Sequence, residues 1–120
     1  MMFNKIPIFQ DSIITGSVID KELDKTISMV LQNEIKENQG NFLSNKGGYQ
    51  TRNINDDKIC NTLLKESSEI IIKNYNLTNV KTTMYNLWIN KNYEGNYNSP
   101  HTHPMSFFSG IYYLDVSEKG

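Results

Sequence analysis

The sequence predicts an α+β fold, because helical patterns come first along the chain and strand patterns follow them. Two apolar stripes with helical spacing are followed by β-branched and aromatic residues that alternate with a period of two. The chain has 120 residues, which is the length of one small domain. We therefore expect a single domain over 1–120, with a mostly helical part over 1–78 and the first strands of a sheet over 79–120.

Two helices are predicted after a short extended segment, "IPIFQDSIITGSVI". In the first helix Asp20 can cap the start and Gly40 follows the end, and in the second Asp56 is a suitable cap. The apolar residues of the first stripe are Leu23, Ile27, Val30, Leu31 and Ile35, and those of the second are Ile59, Leu63, Ile70, Ile71 and Tyr75. Between the helices, Gly47 and Gly48 predict a turn, followed by a short strand over 49–54.

The strand patterns occupy the remainder of the chain. In "NVKTTMYNLWINKN" (79–92) even-numbered apolar residues such as Trp88 fall on one side and odd-numbered ones such as Leu87 on the other. A loop is expected around Gly95, over 93–100, and "SFFSGIYYLDV" (106–116) predicts a further strand.

Composition and charge argue against nucleic-acid and membrane partners. A formal net charge of −1, with basic residues spread along the chain, gives no electrostatic support for binding nucleic acid. No apolar run approaches the length of a membrane span, so we expect no membrane partner. The single cysteine, Cys60, excludes an intramolecular disulfide, which fits a cytoplasmic location, and its apolar helical surroundings indicate a structural thiol.

The two histidines of the chain, His101 and His103, are one residue apart and are flanked by Pro100 and Pro104. On an extended backbone such a pair faces one side, so both imidazoles can converge on a transition metal. Metal sites normally need three or four ligands, however, and two nearby histidines on a polar loop are also common surface residues. Downstream, Asp115 is better explained as a strand-end residue facing water than as a third ligand. Both interpretations of the histidine pair, as metal ligands and as surface residues, therefore stay open.

Other catalytic patterns are absent or poorly matched. Ser109 does not lie in a G-x-S-x-G nucleophile turn, and the chain has neither a P-loop nor a dinucleotide-binding fingerprint. The pair Tyr112 and Tyr113 could stack on bases, but packing in a core or cleft explains it better without a basic groove.

Taken together, the motifs of "NLWINKNYEGNYNSPHTHPMSFFSGIYYLDV" resemble a family of 2-oxoglutarate/Fe(II)-dependent oxygenases found in bacteria and marine phages. The family pattern is W-x-N, G-x-Y-N, H-x-H-P and S-G-x-Y-Y-L, here at 88–90, 95–98, 101–104 and 109–114. The stretch "SNKGGYQT" (44–51) is similar to a glycine-rich segment of the same family. The resemblance therefore covers most of the chain from the first helix onward.

The resemblance implies a double-stranded β-helix, a jelly-roll-like barrel with flanking helices, and Fe(II) and 2-oxoglutarate as cofactors. His101 matches the first iron ligand, and His103 stands where many related oxygenases have aspartate. Tyr113 matches a tyrosine that hydrogen-bonds the distal carboxylate of 2-oxoglutarate, and Asn90, with Trp88, is implied to line the same cleft.

The family also implies a later iron-binding histidine and a basic residue that pairs with 2-oxoglutarate, and this sequence matches neither; its only arginine, Arg52, lies upstream. We therefore expect the N-terminal portion of a barrel that is incomplete at the C-terminus, with open strand edges through which copies could associate. Two hypotheses follow: a hydroxylase-type dioxygenase, or a fragment of one, acting on an unidentified small molecule or protein; and a non-catalytic β-barrel fragment that binds a partner protein or a structural metal such as zinc.

Overall fold

The computed structural model describes residues 12–116. Within this range the chain forms two helices and two short antiparallel strand pairs, which confirms the α+β expectation. Part of the extended segment expected before the first helix lies outside the described residues, and the remainder, 12–20, has no regular secondary structure.

Helix α1 spans Lys21–Glu37 and begins where the sequence predicted. The carboxylate of Asp20 accepts hydrogen bonds from the backbone N–H groups of Glu22 and Leu23, at 3.1 and 2.9 Å. These bonds satisfy two of the N–H groups that a helix leaves unpaired at its start. The apolar stripe buries Leu23 and Ile27, whereas the side chain of Ile35 is 40 % exposed near the C-terminal end.

Helix α2 spans Asp57–Tyr75, with Asp56 accepting from the backbone N–H of Ile59 at 3.0 Å and Asn76 ending the helix in a left-handed conformation. The helices contact each other around a small core. Its buried residues are Leu23, Ile27, Ile54 and Ile59, with Val30, Leu63, Leu87, Ile89, Tyr112 and Leu114 packed against them. Among residues 12–116, neither helix is both long and apolar enough to cross a bilayer.

The strands lie on two chain stretches that run antiparallel, 44–54 and 87–99, which we call the ribbon. Strand β1 (Asn45–Lys46) pairs with β4 (Tyr97–Asn98), and β2 (Tyr49–Gln50) pairs with β3 (Asn90–Lys91). Backbone hydrogen bonds extend the pairing beyond the strands, from the N–H of Ser99 to the carbonyl of Ser44 at one end, at 2.8 Å. At the other end, the N–H of Ile54 donates to the carbonyl of Leu87 at 2.7 Å.

Gly47 and Gly48 form the expected bend between β1 and β2, and both have positive φ angles, of +74° and +68°. Opposite them, residues 92–96 loop out of the ribbon between β3 and β4. A Cβ atom on Gly47 would overlap the side-chain amide of Asn96, and one on Gly48 would lie 2.7 Å from the backbone carbonyl oxygen of Lys91. The glycine pair therefore allows both the bend and the close approach of the two stretches.

The strand predictions were wrong in extent. The strand expected over 79–92 is limited to Asn90–Lys91, and the loop expected over 93–100 contains β4. The strand expected over 49–54 is limited to Tyr49–Gln50, and residues 106–116 form neither helix nor strand. A strand requires a neighbour that supplies N–H and carbonyl partners, and no other segment of residues 12–116 pairs with 106–116. The described residues accordingly form no closed barrel.

Candidate metal-binding site

The histidine pair follows directly from the end of the ribbon. Strand β4 ends at Asn98, and the N–H of Ser99 is still bonded to the opposite stretch. Pro100 then leads into His101, and the backbone turns at Pro104 and Met105. The start of the H-x-H-P motif is therefore anchored on paired backbone, whereas the residues that follow it are not paired.

The imidazole rings of His101 and His103 lie close together, with centroids 4.8 Å apart and ring planes at 72°. With a metal–nitrogen bond of about 2.1 Å, a coordinated imidazole has its centroid roughly 3.25 Å from the metal, so two ligands at 90° would have centroids roughly 4.6 Å apart. A tetrahedral angle would separate them by roughly 5.3 Å by the same geometry. The observed separation fits both arrangements, so the ring spacing suits a shared ion without selecting iron or zinc.

A backbone carbonyl sets the hydrogen-bonding state of His101. Its Nδ1 atom lies 2.7 Å from the carbonyl oxygen of Ser99. Because a carbonyl can only accept, the ring donates through Nδ1–H, which leaves the lone pair of Nε2 available in the neutral ring. Metal-binding histidines in proteins commonly have their second nitrogen held in this way.

The ring of His103 is in contact with Trp88. The two rings stack with centroids 5.6 Å apart and planes inclined by 29°. His103 and Trp88 are both half-buried, whereas His101 is exposed. The stack brings two of the family-like motifs, W-x-N and H-x-H-P, into direct contact, which their sequence positions alone did not reveal.

An open depression of about 640 Å³ lies beside the pair. Its lining residues are His101, Thr102, His103, Ser106, Phe107, Phe108 and Ser109. The depression is wide enough for a small molecule, and its walls combine the two imidazoles with serine hydroxyls and aromatic rings.

Residues 12–116 bring no third ligand to the histidines, since they contain no cluster of three or more histidine, cysteine and acidic side chains. Asp56 caps α2, as the sequence predicted. The thiol of Cys60 donates to the carbonyl oxygen of Ile54 at 3.5 Å, and burial raises its pKa, so it remains a protonated structural thiol.

Tyr113 and Asn90, the residues that the resemblance implied for 2-oxoglutarate, do not line the depression. Tyr113 is 70 % exposed, and Asn90 is an exposed residue of β3 that pairs with Gln50. Tyr112, by contrast, packs against the core and donates from its hydroxyl to the carboxylate of Asp24 at 2.6 Å. The cofactor-binding roles of Tyr113 and Asn90 therefore stay predictions.

The guanidinium of Arg52, the only arginine in the chain, is engaged elsewhere. It donates to the carboxylate of Glu34 from Nη2 at 3.1 Å and from Nε at 3.2 Å. This pair links the ribbon to α1, with the Nε and Nη2 donors already bonded to a carboxylate of the protein itself.

Comparison with known families supports the motif analysis. Residues 86–120 match the family model described as "Putative 2OG-Fe(II) oxygenase". The match includes Trp88, the histidine pair and the S-G-x-Y-Y-L motif, but it does not extend to the glycine-rich stretch 44–51. Neither the curated proteins nor the solved structures include a match to this chain. The resemblance to the 2-oxoglutarate/Fe(II)-dependent oxygenase family is thus confirmed for residues 86–120.

Proposed function

We propose that this chain carries part of the Fe(II) site of a hydroxylase-type 2-oxoglutarate-dependent dioxygenase. The observation that carries the proposal is the pair of imidazoles within the matched segment, 4.8 Å apart and with Nε2 of His101 left available. His101 and His103 would hold the metal. A third protein ligand is also required, and it would come from outside residues 12–116.

Fe(II) held by three protein ligands, together with 2-oxoglutarate and O2, would supply the chemistry for hydroxylating a C–H bond: one oxygen atom would go to that carbon and the other to succinate, with CO2 released. The exposed hydroxyl of Tyr113 is free to donate to a carboxylate of 2-oxoglutarate when that cosubstrate binds. We assign Asn90 to the same cosubstrate from its place in the W-x-N motif. The ribbon would form part of a double-stranded β-helix.

The experiment that tests this function measures succinate formed from 2-oxoglutarate in the presence of Fe(II) and ascorbate. We expect iron-dependent succinate from a form of the protein that also supplies the third ligand, and none above background when that form carries His101→Ala. Tyr113→Phe should raise the KM for 2-oxoglutarate, whereas Tyr112→Phe, which alters the neighbouring hydroxyl, should not. If that form produced no more succinate than its His101→Ala variant, the proposal would be contradicted.

A second candidate is a non-catalytic module that binds a partner protein or a structural metal. It is favoured by the engagement of Arg52 with Glu34 and by the two-residue ligand set within 12–116. Metal analysis of the purified chain separates the candidates. One equivalent of tightly held zinc, with a melting temperature that 2-oxoglutarate does not raise, would favour the second candidate, because a ligand of the folded state stabilises it.

A further inference from the structure

We propose that Trp88 is a positioning residue of the metal site, whose indole holds the His103 ring in the orientation that lets both imidazoles bind one ion. The proposal rests on the metal site of the proposed function and adds to it a residue that does not itself touch the metal. It follows from three features of the described residues: the stack, the backbone bonds on either side of Trp88, and the separate support of His101.

Two ring contacts reach His103: the stack with Trp88 and the edge contact with His101, whose centroid lies 4.8 Å away. A centroid distance of 5.6 Å and an angle of 29° fall in the range of offset-stacked aromatic pairs. Beyond this contact, the backbone near His103 has one weak local bond, from the N–H of Ser106 to the His103 carbonyl at 3.4 Å. That bond leaves the side chain free to rotate. Because the edge contact comes from the other proposed ligand, the indole is the ring contact that restrains His103 from outside the histidine pair.

Trp88 can serve as a fixed wall because its neighbours on both sides are bonded to the opposite stretch of the ribbon. The N–H of Leu87 donates to the side chain of Asn53 at 3.0 Å, and the Leu87 carbonyl accepts from Ile54. The N–H of Ile89 donates to the hydroxyl of Thr51 at 3.0 Å. The carbonyl of Ile89 accepts from the backbone N–H of Thr51. Four hydrogen bonds thus fix the backbone around the indole.

The other ring is supported independently. His101 is held through the carbonyl of Ser99, whose own N–H is bonded to Ser44. Both imidazoles are therefore oriented from the ribbon, one by a hydrogen bond and one by a stack. Loss of the stack should release His103 alone and weaken metal binding, with no effect on the tautomer of His101.

The test uses Co(II), an air-stable substitute for Fe(II), titrated calorimetrically into the full chain. Trp88→Leu should weaken Co(II) binding roughly 3- to 10-fold, because the planar stack is lost. Trp88→Phe keeps a ring and should restore the affinity to within about twofold of the original value. Tyr85→Leu is the matched control, since Tyr85 is an aromatic residue shortly before Trp88 in the chain and is 67 % exposed, and it should leave the affinity unchanged.

A second readout needs no substitution at Trp88. Because Trp88 is the only tryptophan, its fluorescence reports on this site alone, and Co(II) at His103 should quench it with the dissociation constant found by calorimetry. His103→Ala should abolish the saturable quenching. Co(II) binding without quenching would overturn the positioning role even if Trp88→Leu failed to fold.

The failures of the two proposals are distinguishable. A folded Trp88→Leu chain, checked by circular dichroism, that binds Co(II) as tightly as the unaltered chain would overturn the role of Trp88 and leave the metal site intact. An unaltered chain that binds no Co(II) would overturn both.

Discussion

The hydroxyl of Tyr112 donates a 2.6 Å hydrogen bond to the carboxylate of Asp24 and so ties the segment after the histidine pair to the first turn of α1. Close by in sequence, the ring of Phe108 lies 5.4 Å from that of Tyr75 in the last turn of α2. The segment that carries the S-G-x-Y-Y-L motif is therefore held against both helices.

Tyr112→Phe should lower the free energy of unfolding by roughly 1.5 to 3 kcal/mol, because it removes a hydrogen bond to a charged group in a half-buried position. Urea unfolding followed by circular dichroism measures the change. Tyr113→Phe is the matched control: its ring is 70 % exposed, and we expect a change within about 0.5 kcal/mol. Equal effects from the two substitutions would contradict a special role for the Asp24 bond.

The same bond should make stability depend on alkaline pH. The hydrogen bond to the Asp24 carboxylate, and secondarily burial, raise the pKa of Tyr112 from 10.0 to about 12. Because the folded state holds this proton more tightly, the contribution is complete below about pH 10 and is lost as pH rises through about 12. Unfolding at about pH 9 and about pH 11.5 should show a smaller difference between the unaltered chain and Tyr112→Phe at the higher pH. A difference that grows with pH would overturn this assignment.

Alanine substitutions at three glycines, only one of which lies in the bend of the ribbon, give a graded test of that bend. Gly48→Ala combines a positive φ with a clash against the backbone carbonyl of Lys91, so it should destabilise the fold by roughly 2 kcal/mol or more. Gly95→Ala has a positive φ but open space around it, and should cost roughly 1 kcal/mol. Gly110→Ala has neither problem and should be close to neutral. The melting temperature should therefore be lowest for Gly48→Ala, intermediate for Gly95→Ala and highest for Gly110→Ala. Equal melting temperatures for Gly48→Ala and Gly110→Ala would contradict the close approach of Gly48 to Lys91.

The helices could be predicted from the sequence because their signals are local. The caps at Asp20 and Asp56 and the apolar spacing of each stripe lie within a few residues of the bonds they determine. The strands could not be bounded in the same way, because alternation shows which residues could share a face but not which segment supplies the bonds. The apolar alternation over 106–116 met no partner within the described residues.

The candidate site was predictable only in part. The i, i+2 spacing correctly brought the rings of His101 and His103 together. The contacts that hold the two imidazoles could not be predicted from the sequence. Ser99 binds His101 through its backbone carbonyl, so its residue type gives no indication of the contact. The stack of Trp88 on His103 joins residues that are separated by the loop between β3 and β4. The W-x-N motif had marked Trp88 as a cleft residue without indicating this contact.

The ion pair of Arg52 and Glu34 should contribute little to stability. The Arg52 side chain is 62 % exposed, so Arg52→Ala should lower the free energy of unfolding by less than about 1 kcal/mol. A double-mutant cycle with Glu34→Ala measures the coupling of the pair directly. Because the guanidinium is held by Glu34, we also expect Arg52→Ala to leave the affinity for 2-oxoglutarate unchanged; a large loss would show that Arg52 serves the cosubstrate.

The most direct test of the central claim is the anaerobic binding of Fe(II) to the purified chain, measured by isothermal titration calorimetry. We expect one Fe(II) to bind per chain, and this binding to be lost when His101 and His103 are both replaced by alanine. The Tyr85→Leu chain should bind as the unaltered chain does. Fe(II) binding of the same stoichiometry and affinity in the double-alanine variant, or no binding in the unaltered chain, would contradict it.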